Sequence, residues 1–236
     1  MEDNSLRGAS GELDASREYT VAVVHAGTSE GASTSLLVER LAQSLRKRFA
    51  ADGVEPVIET IALKGLSEEI GSAIVTGYLG ERLQSAQQTL LRADALIAAT
   101  PVYKAEASGL FSSFFHVIDR DLLIGKPVLL GATAGTPRHS LVLDHQIRSL
   151  FAYMRALVAP TSVFAAPEDW NDSKLDRRID RAAHELKVLT AINFPESLKN
   201  DTFDAYQRDF GGAGGSHSEI NFDTDLMKLA TGGSAS

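Results

Sequence analysis

The sequence predicts a doubly wound α/β fold built on a parallel sheet, and three observations predict it. Five short apolar runs recur along the chain, apolar enough to be buried on both faces as parallel strands are. Stretches with apolar residues at every third or fourth position separate most of them and supply the crossover helices that parallel neighbours need. Three of the runs end in loops of glycine, hydroxyl and proline residues, the end of such sheets where ligands bind.

The first run, residues 19–24 (YTVAVV), is β-branched and reads as strand one, followed by a loop of small and hydroxyl residues at 25–35 (HAGTSEGASTS). Leu37, Leu41, Leu45 and Phe49 then recur at every fourth residue, which predicts an amphipathic helix ending near Gly53. Residues 54–63 read as strand two. Residues 64–78 carry three glycines without a period and read as irregular. Leu79, Leu83, Ala86 and Leu90 predict the second helix, and residues 93–100 (ADALIAAT) a third strand stopped by Pro101. A Phe-rich helix is expected over 109–118, with Phe111, Phe114 and Phe115 in the core, and a fourth strand over 126–132 (KPVLLGA). The loop 133–139 (TAGTPRH) follows. Residues 141–157 read as a helix with Ile147, Leu150, Phe151, Met154 and Leu157 apolar, and 160–166 (PTSVFAA) as strand five. Leu175, Ile179, Ala182, Leu186 and Leu189 mark the last helix.

Charge divides the chain in the same places. Of a net −8, residues 1–18 carry −3 and residues 196–236 carry −4, leaving the body at −1. The reading is therefore a flexible acidic N-terminal tail over 1–18, one folded domain over 19–195, and a partly disordered C-terminal extension over 196–236. No basic stripe exists to neutralise a run of phosphates, so nucleic acid is not the expected partner. The absence of cysteine excludes disulfides, thiolate nucleophiles and iron–sulfur clusters. No apolar run approaches the roughly 18–20 residues of a membrane span, and the polar N-terminus is no secretory signal. A cytoplasmic protein is expected. His139 and His145, with Asp144 between them, match no zinc spacing, and no metal site is expected.

Three loops carry the chemistry. The first offers Thr28, Ser29, Ser33, Thr34 and Ser35 ahead of a helix, a set of hydroxyl and backbone donors that can wrap a terminal phosphate, or of which Ser33 is merely an N-cap. Neither the dinucleotide glycine fingerprint nor a Walker A motif is present. The second, Pro101, Val102 and Tyr103, holds the backbone extended and offers main-chain groups and an aromatic ring to a flat heterocycle, or forms a plain surface turn. The third, Ala134, Gly135 and Thr136, is small enough for a ring system to approach the backbone. Arg138 and His139 behind it could face a negative ring edge or a nucleotide phosphate, or serve as a solvated charge and a helix cap.

In that order, AGTSEGASTSLLVERLA, ATPVYKAEASGLFSSFFHVID, KPVLLGATAGTPRHSLVLDHQIRSLFAYMRA and PTSVFAAPEDW resemble the NAD(P)H-dependent FMN reductases, most closely the branch that supplies reduced flavin to luciferase-like two-component monooxygenases. The resemblance spans roughly residues 19–170. It implies a flavodoxin-like three-layer α/β/α sandwich with a five-stranded parallel sheet in the order 2-1-3-4-5. It implies FMN and NADPH or NADH as cofactors, with the FMN phosphate on Thr28, Ser29, Ser33, Thr34 and Ser35. The ring would lie between Pro101–Val102–Tyr103 and Ala134–Gly135–Thr136, with His139 close by. It further implies a homodimer or homotetramer, for which the apolar surplus of the Phe-rich helix and of residues 141–157 also argues, and a flavin-dependent monooxygenase as partner. The chain departs from the family pattern at Ser35 (often Arg), Ser112 (often Lys), Ala134 (often Gly) and His116 (often an acid). A missing cation at the phosphate implies FMN that exchanges.

Hydride transfer of this kind needs positioning rather than a catalytic triad, and no catalytic side chain is assigned. Two rivals remain at this point. One keeps FMN bound and reduces quinones, azo dyes or metal oxyanions. The other is a flavodoxin-like electron carrier, which usually clamps the ring between aromatics, whereas only Tyr103 is available in these loops. A flavin-free scaffold is the reading left if no flavin binds.

Overall fold

The computed structural model describes residues 11–28 and 31–201. A parallel sheet forms its centre. Strand β1 (Thr20–His25) is flanked by β2 (Val57–Ala62) on one side and β3 (Ala95–Tyr103) on the other. Next come β5 (Pro127–Thr133) and, beside it, two short strands, β6 (Leu157–Val158) and β7 (Val163–Ala165). The order β2-β1-β3-β5 with β6 and β7 sharing the last place is the 2-1-3-4-5 order expected from the sequence. A two-residue strand β4 (Glu106–Ala107) adds an antiparallel hairpin to the end of β3.

Alternation along the central strands explains the layers. Val21, Val23, Ala95, Ile97 and Leu129 face helices α1 (Ser33–Ala50) and α6 (Ser173–Ile192), whereas Ala22, Val24, Leu96, Ala98 and Leu130 face the other side. That second face is covered by α2 (Ser67–Thr76), α3 (Glu81–Arg92), α4 (Gly109–Val117) and α5 (Arg148–Tyr153). Leu37, Leu41, Leu45 and Phe49 all point inward from α1 as their spacing requires. Gly131 lets that helix come close, since a Cβ there would stand 3.2 Å from Ala99 Cβ and 3.3 Å from Leu37 Cδ2.

Several expectations are corrected. Residues 64–78 are not irregular: a short 3-10 turn leads into α2, where Ile70 and Ala73 anchor a helix whose outer side keeps Ile74 and Val75 exposed, so no two-sided period marks it. Pro101 does not stop β3, which runs on to Tyr103. Proline is tolerated because the ladder is ending there and its carbonyl turns to accept the Ser108 N–H at 3.1 Å. The helix over 141–157 is broken into a π-helical turn (Leu143–Ile147) and α5.

The Phe-rich helix is core, but it leaves no apolar surplus. Phe111, Phe114, Phe115 and Phe151 are fully or nearly buried in one cluster, with ring centroids of Phe115 4.9 Å from both Phe111 and Phe151. The stretch 141–157 does keep exposed apolar side chains, Leu141 and Tyr153, and others lie outside both segments, among them Ile74, Val75 and Tyr78.

Both expected domain edges shift outward. Residues 11–18 pack on the body instead of forming a tail: Leu13 is buried and its N–H donates to Asp52, Gly11 accepts from Lys187, and Arg17 pairs with Asp94. At the other end α7 (Phe194–Asp201) crosses residue 195, and Phe194, Pro195 and Leu198 lie against Gly125. The rest of the expected extension, residues 202–236, lies outside the described residues, as do residues 1–10.

Candidate functional site

β1 ends at His25, and the ladder continues one residue further as the Ala26 N–H donates to the Ala99 carbonyl. The chain leaves the sheet at Gly27, whose N–H donates to His25 Nδ1 at 3.3 Å. A Cβ at Gly27 would stand 2.8 Å from Ser35 Oγ and 3.4 Å from Ala32 Cβ, so the loop is folded hard against the first turn of α1. Ala32 occupies the N-cap and brings no capping side chain, and no acid stands in that first turn. The N–H groups of Ser33, Thr34 and Ser35 therefore lack intrahelical acceptors and, with the helix dipole, present positive character to solvent.

Thr28 and Ser33 are exposed there and Ser35 is half-buried. Thr34 is different. Its side chain is buried and its Oγ1 lies 2.7 Å from Thr133 Oγ1, a hydroxyl pair that ties the first loop to the end of β5. What Thr34 leaves for an anion is its backbone N–H. Ser29 lies outside the described residues. Burial lowers the basicity of the His25 imidazole, with the Glu39 carboxylate opposing, and Nδ1 is the nitrogen that accepts from the Gly27 N–H.

The second loop is the β3–β4 hairpin. Tyr103 pairs with Glu106 across a two-residue tip, Lys104 and Ala105, whose φ values of 51° and 68° are both left-handed. Such tips ordinarily carry Asn and Gly. Gln146 of the π-helical turn holds this one, its Nε2 donating to the Ala105 carbonyl at 3.3 Å. Tyr103 is 56% exposed, Pro101 half-buried, and the Val102 side chain buried in the core, so Val102 can offer a ligand only its backbone. Behind them Thr100 and Ser108 lock the base of the hairpin, Ser108 N–H donating to Thr100 Oγ1 at 3.0 Å and Ser108 Oγ capping α4.

The third loop follows β5. Thr133 stands in register with Pro101 on one side and Ala165 on the other, and Ala134 N–H continues the ladder to the Ala165 carbonyl. Ala134 is half-buried, Gly135 and Thr136 are exposed, and His139 is half-buried with its Nε2 accepting from Arg138 Nε at 3.3 Å. All three loops thus open at the carboxyl end of the sheet. Lys104 and Arg138 are exposed on its rim, and neither is ion-paired among the described residues.

Comparison with known proteins identifies this arrangement. Residues 19–171 match the family described as NADPH-dependent FMN reductase. The chain is 34% identical to an NADH-dependent FMN reductase, SfnE, of Pseudomonas putida over 75% of this chain and 90% of that one. It is 33% identical to an NADPH-using FMN reductase of Pseudomonas aeruginosa over 66% of this chain and 82% of the other. Among solved structures, an oxidoreductase from Corynebacterium diphtheriae is 40% identical and superposes with a TM-score of 0.71, over 73% of this chain and 97% of that one. The chain belongs to the NADPH-dependent FMN reductase family. It is an oxidoreductase working with FMN and NADH or NADPH.

The residues present in this reductase fit FMN. An uncapped helix end with two exposed hydroxyls suits a phosphate, and an exposed aromatic hairpin with a small, Gly-containing loop at the same end of the sheet suits a planar ring. Residue types alone could not have located two contributors. Thr133 acts through its partner Thr34 and Gln146 through the hairpin tip, and each contact joins segments whose meeting only the fold decides, whereas His25 acts locally through Gly27. The one available signal was a histidine at the end of an otherwise apolar strand.

Proposed function

We propose that this reductase takes FMN as an exchangeable substrate and passes it on, reduced, to a flavin-dependent monooxygenase. The observation that carries the reading is the phosphate loop itself. From Ala26 to Leu36 the chain contains no Lys or Arg and one acid, Glu30, so the donors are neutral hydroxyls and backbone N–H groups alone. Neutral donors hold a phosphate dianion more weakly than bidentate arginine does, which favours turnover of the flavin.

In this reading Thr28, Ser29, Ser33 and Ser35 receive the phosphate through their side chains and Thr34 through its N–H. Pro101, Val102 and Tyr103 line one side of the ring and Ala134, Gly135, Thr136 and His139 the other. When bound, FMN supplies the two-electron acceptor for hydride from the nicotinamide. The chain's own contribution is placement: the Thr34–Thr133 pair and the Gln146 contact fix the loops between which both flat rings must stack. Lys104 and Arg138 on the rim attract the phosphates of the nicotinamide nucleotide. That nucleotide is a cytoplasmic metabolite, and the cytoplasm is the proposed location. No helix among the described residues is long and apolar enough to cross a membrane. We also infer a homo-oligomer, supported by Val75, 85% exposed, next to the exposed Ile74 and Tyr78; light scattering on the purified protein tests it.

Oxidation of NADPH and NADH, followed with and without added free FMN, decides the main point. Activity that requires FMN and saturates with it is expected. A yellow protein that turns over only with a quinone, an azo dye or a metal oxyanion would overturn exchange in favour of a resident flavin.

A further inference from the structure

We propose that His25 is a positioning residue that sets the shape of the first loop and thereby the preference of this site for FMN over riboflavin. The proposal rests on the reading of that loop as the phosphate site.

Three observations carry it. The His25 imidazole is only 8% exposed, yet it makes one hydrogen bond, at Nδ1, with the Gly27 N–H two residues on. That bond holds the backbone at the point where it leaves the sheet, against a first turn so close that Gly27 has no room for a side chain beside Ser35. His25 also lines a cleft of about 650 Å³ between α1 and the edge strand β2, which Ser35 at the end of the loop lines as well. Glu39, Arg40 and Arg46 of α1 are the charged residues lining that cleft, and Thr60 of β2 adds a hydroxyl.

The geometry divides the work between the two nitrogens. A neutral imidazole that accepts at Nδ1 carries its proton on Nε2, which leaves Nδ1 to the loop. Nδ1 then acts like the acceptor of an Asx turn, closing a local ring from a side chain to the N–H two residues ahead. With Gly27 fixed, Thr28 and the helix end stay close enough for hydroxyl and N–H donors to converge on one group. Without it, Gly27 is free to swing from Ser35, and the donors separate. The His25 bond lies within the first loop, and among the described residues no hydrogen bond joins His25 to the loops after β3 and β5, so the effect falls on the phosphate half of the ligand.

Dissociation constants for FMN and for riboflavin, which lacks the phosphate, test this in the full chain. The variants are His25→Leu, His25→Gln and His25→Asn. Asn places its carboxamide oxygen near the position of Nδ1, whereas Gln reaches toward Nε2 and Leu offers no acceptor. Loss of the bond is expected to weaken FMN about tenfold in the Leu and Gln variants, with riboflavin changed less than about twofold. His25→Asn should recover FMN binding to within about threefold of the parent. Equal weakening of FMN and riboflavin, or failure of Asn to rescue, would overturn the assignment and leave His25 a packing residue. Should the Leu variant not fold, the Asn and Gln pair carries the same comparison. The parent protein separates the two readings. If it binds FMN no better than riboflavin, the phosphate site itself is wrong. If it discriminates and the Gln variant still does, only the role of His25 fails.

Discussion

Gly27 and Asp52 show how single residues act without touching the reacting atoms. A methyl group at Gly27 would meet Ser35 Oγ at 2.8 Å and force that hydroxyl to turn away or the loop to shift. Gly27→Ala is therefore expected to raise the KM for FMN about five- to tenfold while the KM for the nicotinamide nucleotide stays near its parent value, as steady-state kinetics will check. Asp52 anchors the N-terminal segment, accepting from the Leu13 N–H and pairing with the buried Lys187. Desolvation pushes its carboxyl up, but the Lys187 hydrogen bond, the Leu13 N–H and the charges of Lys187 and His184 outweigh that and hold it below the usual 3.8. A carboxyl depressed on folding contributes stability in full above its unfolded value and loses it as pH falls through the folded one. Denaturant titrations should show the parent losing stability below about pH 4 more steeply than Asp52→Asn, and the variant less stable than the parent at pH 7 by roughly 2–4 kcal/mol. Equal acid slopes would show that Asp52 does not titrate with folding.

At the level of elements, the β3–β4 hairpin is the place where local preference loses to context. Lys104 and Ala105 both sit in left-handed conformations that cost non-glycine residues on the order of 1–2 kcal/mol each. The tight two-residue connection demands those angles, and the Gln146 contact and the Thr100–Ser108 lock hold them. Ala105→Gly should relieve part of the strain and raise Tm by about 2–4 °C for each kcal/mol recovered. A fall in Tm would mean that the Ala105 methyl packs more than the strain costs. The same comparison explains what could be read in advance. Leu37, Leu41, Leu45 and Phe49 announced α1 because one covered face leaves a four-residue rhythm. The helix α2 and the π-helical turn stayed hidden, the first because Ile74 and Val75 break its apolar stripe, the second because an extra residue in a turn leaves no period.

For the molecule as a whole, the described residues, 11–28 and 31–201, hold every candidate site residue except Ser29, and α7 closes against Gly125. A chain ending at Asp201 is expected to keep flavin-dependent NAD(P)H oxidation within about twofold of the parent, since the candidate site residues all precede it in the chain. A folded but inactive truncation would show that residues 202–236 take part in the reaction. Ending the chain at residue 195 instead removes Leu198 from its place against Gly125 and should lower Tm.

By itself the sequence determined the layer architecture, the strand order through its resemblance, and the three loops at which to look. Burial on two faces, helical period and loop composition are local properties of the chain, and each leaves a local mark. Tertiary structure alone decided which groups in those loops remain free. Thr34 proves to be engaged by Thr133, Val102 turns inward, and residues 11–18 dock through Asp52 and Lys187. Thr34 and Thr133 are 99 residues apart, and whether a hydroxyl meets a partner or solvent depends on which segments the sheet brings together, which no single segment encodes.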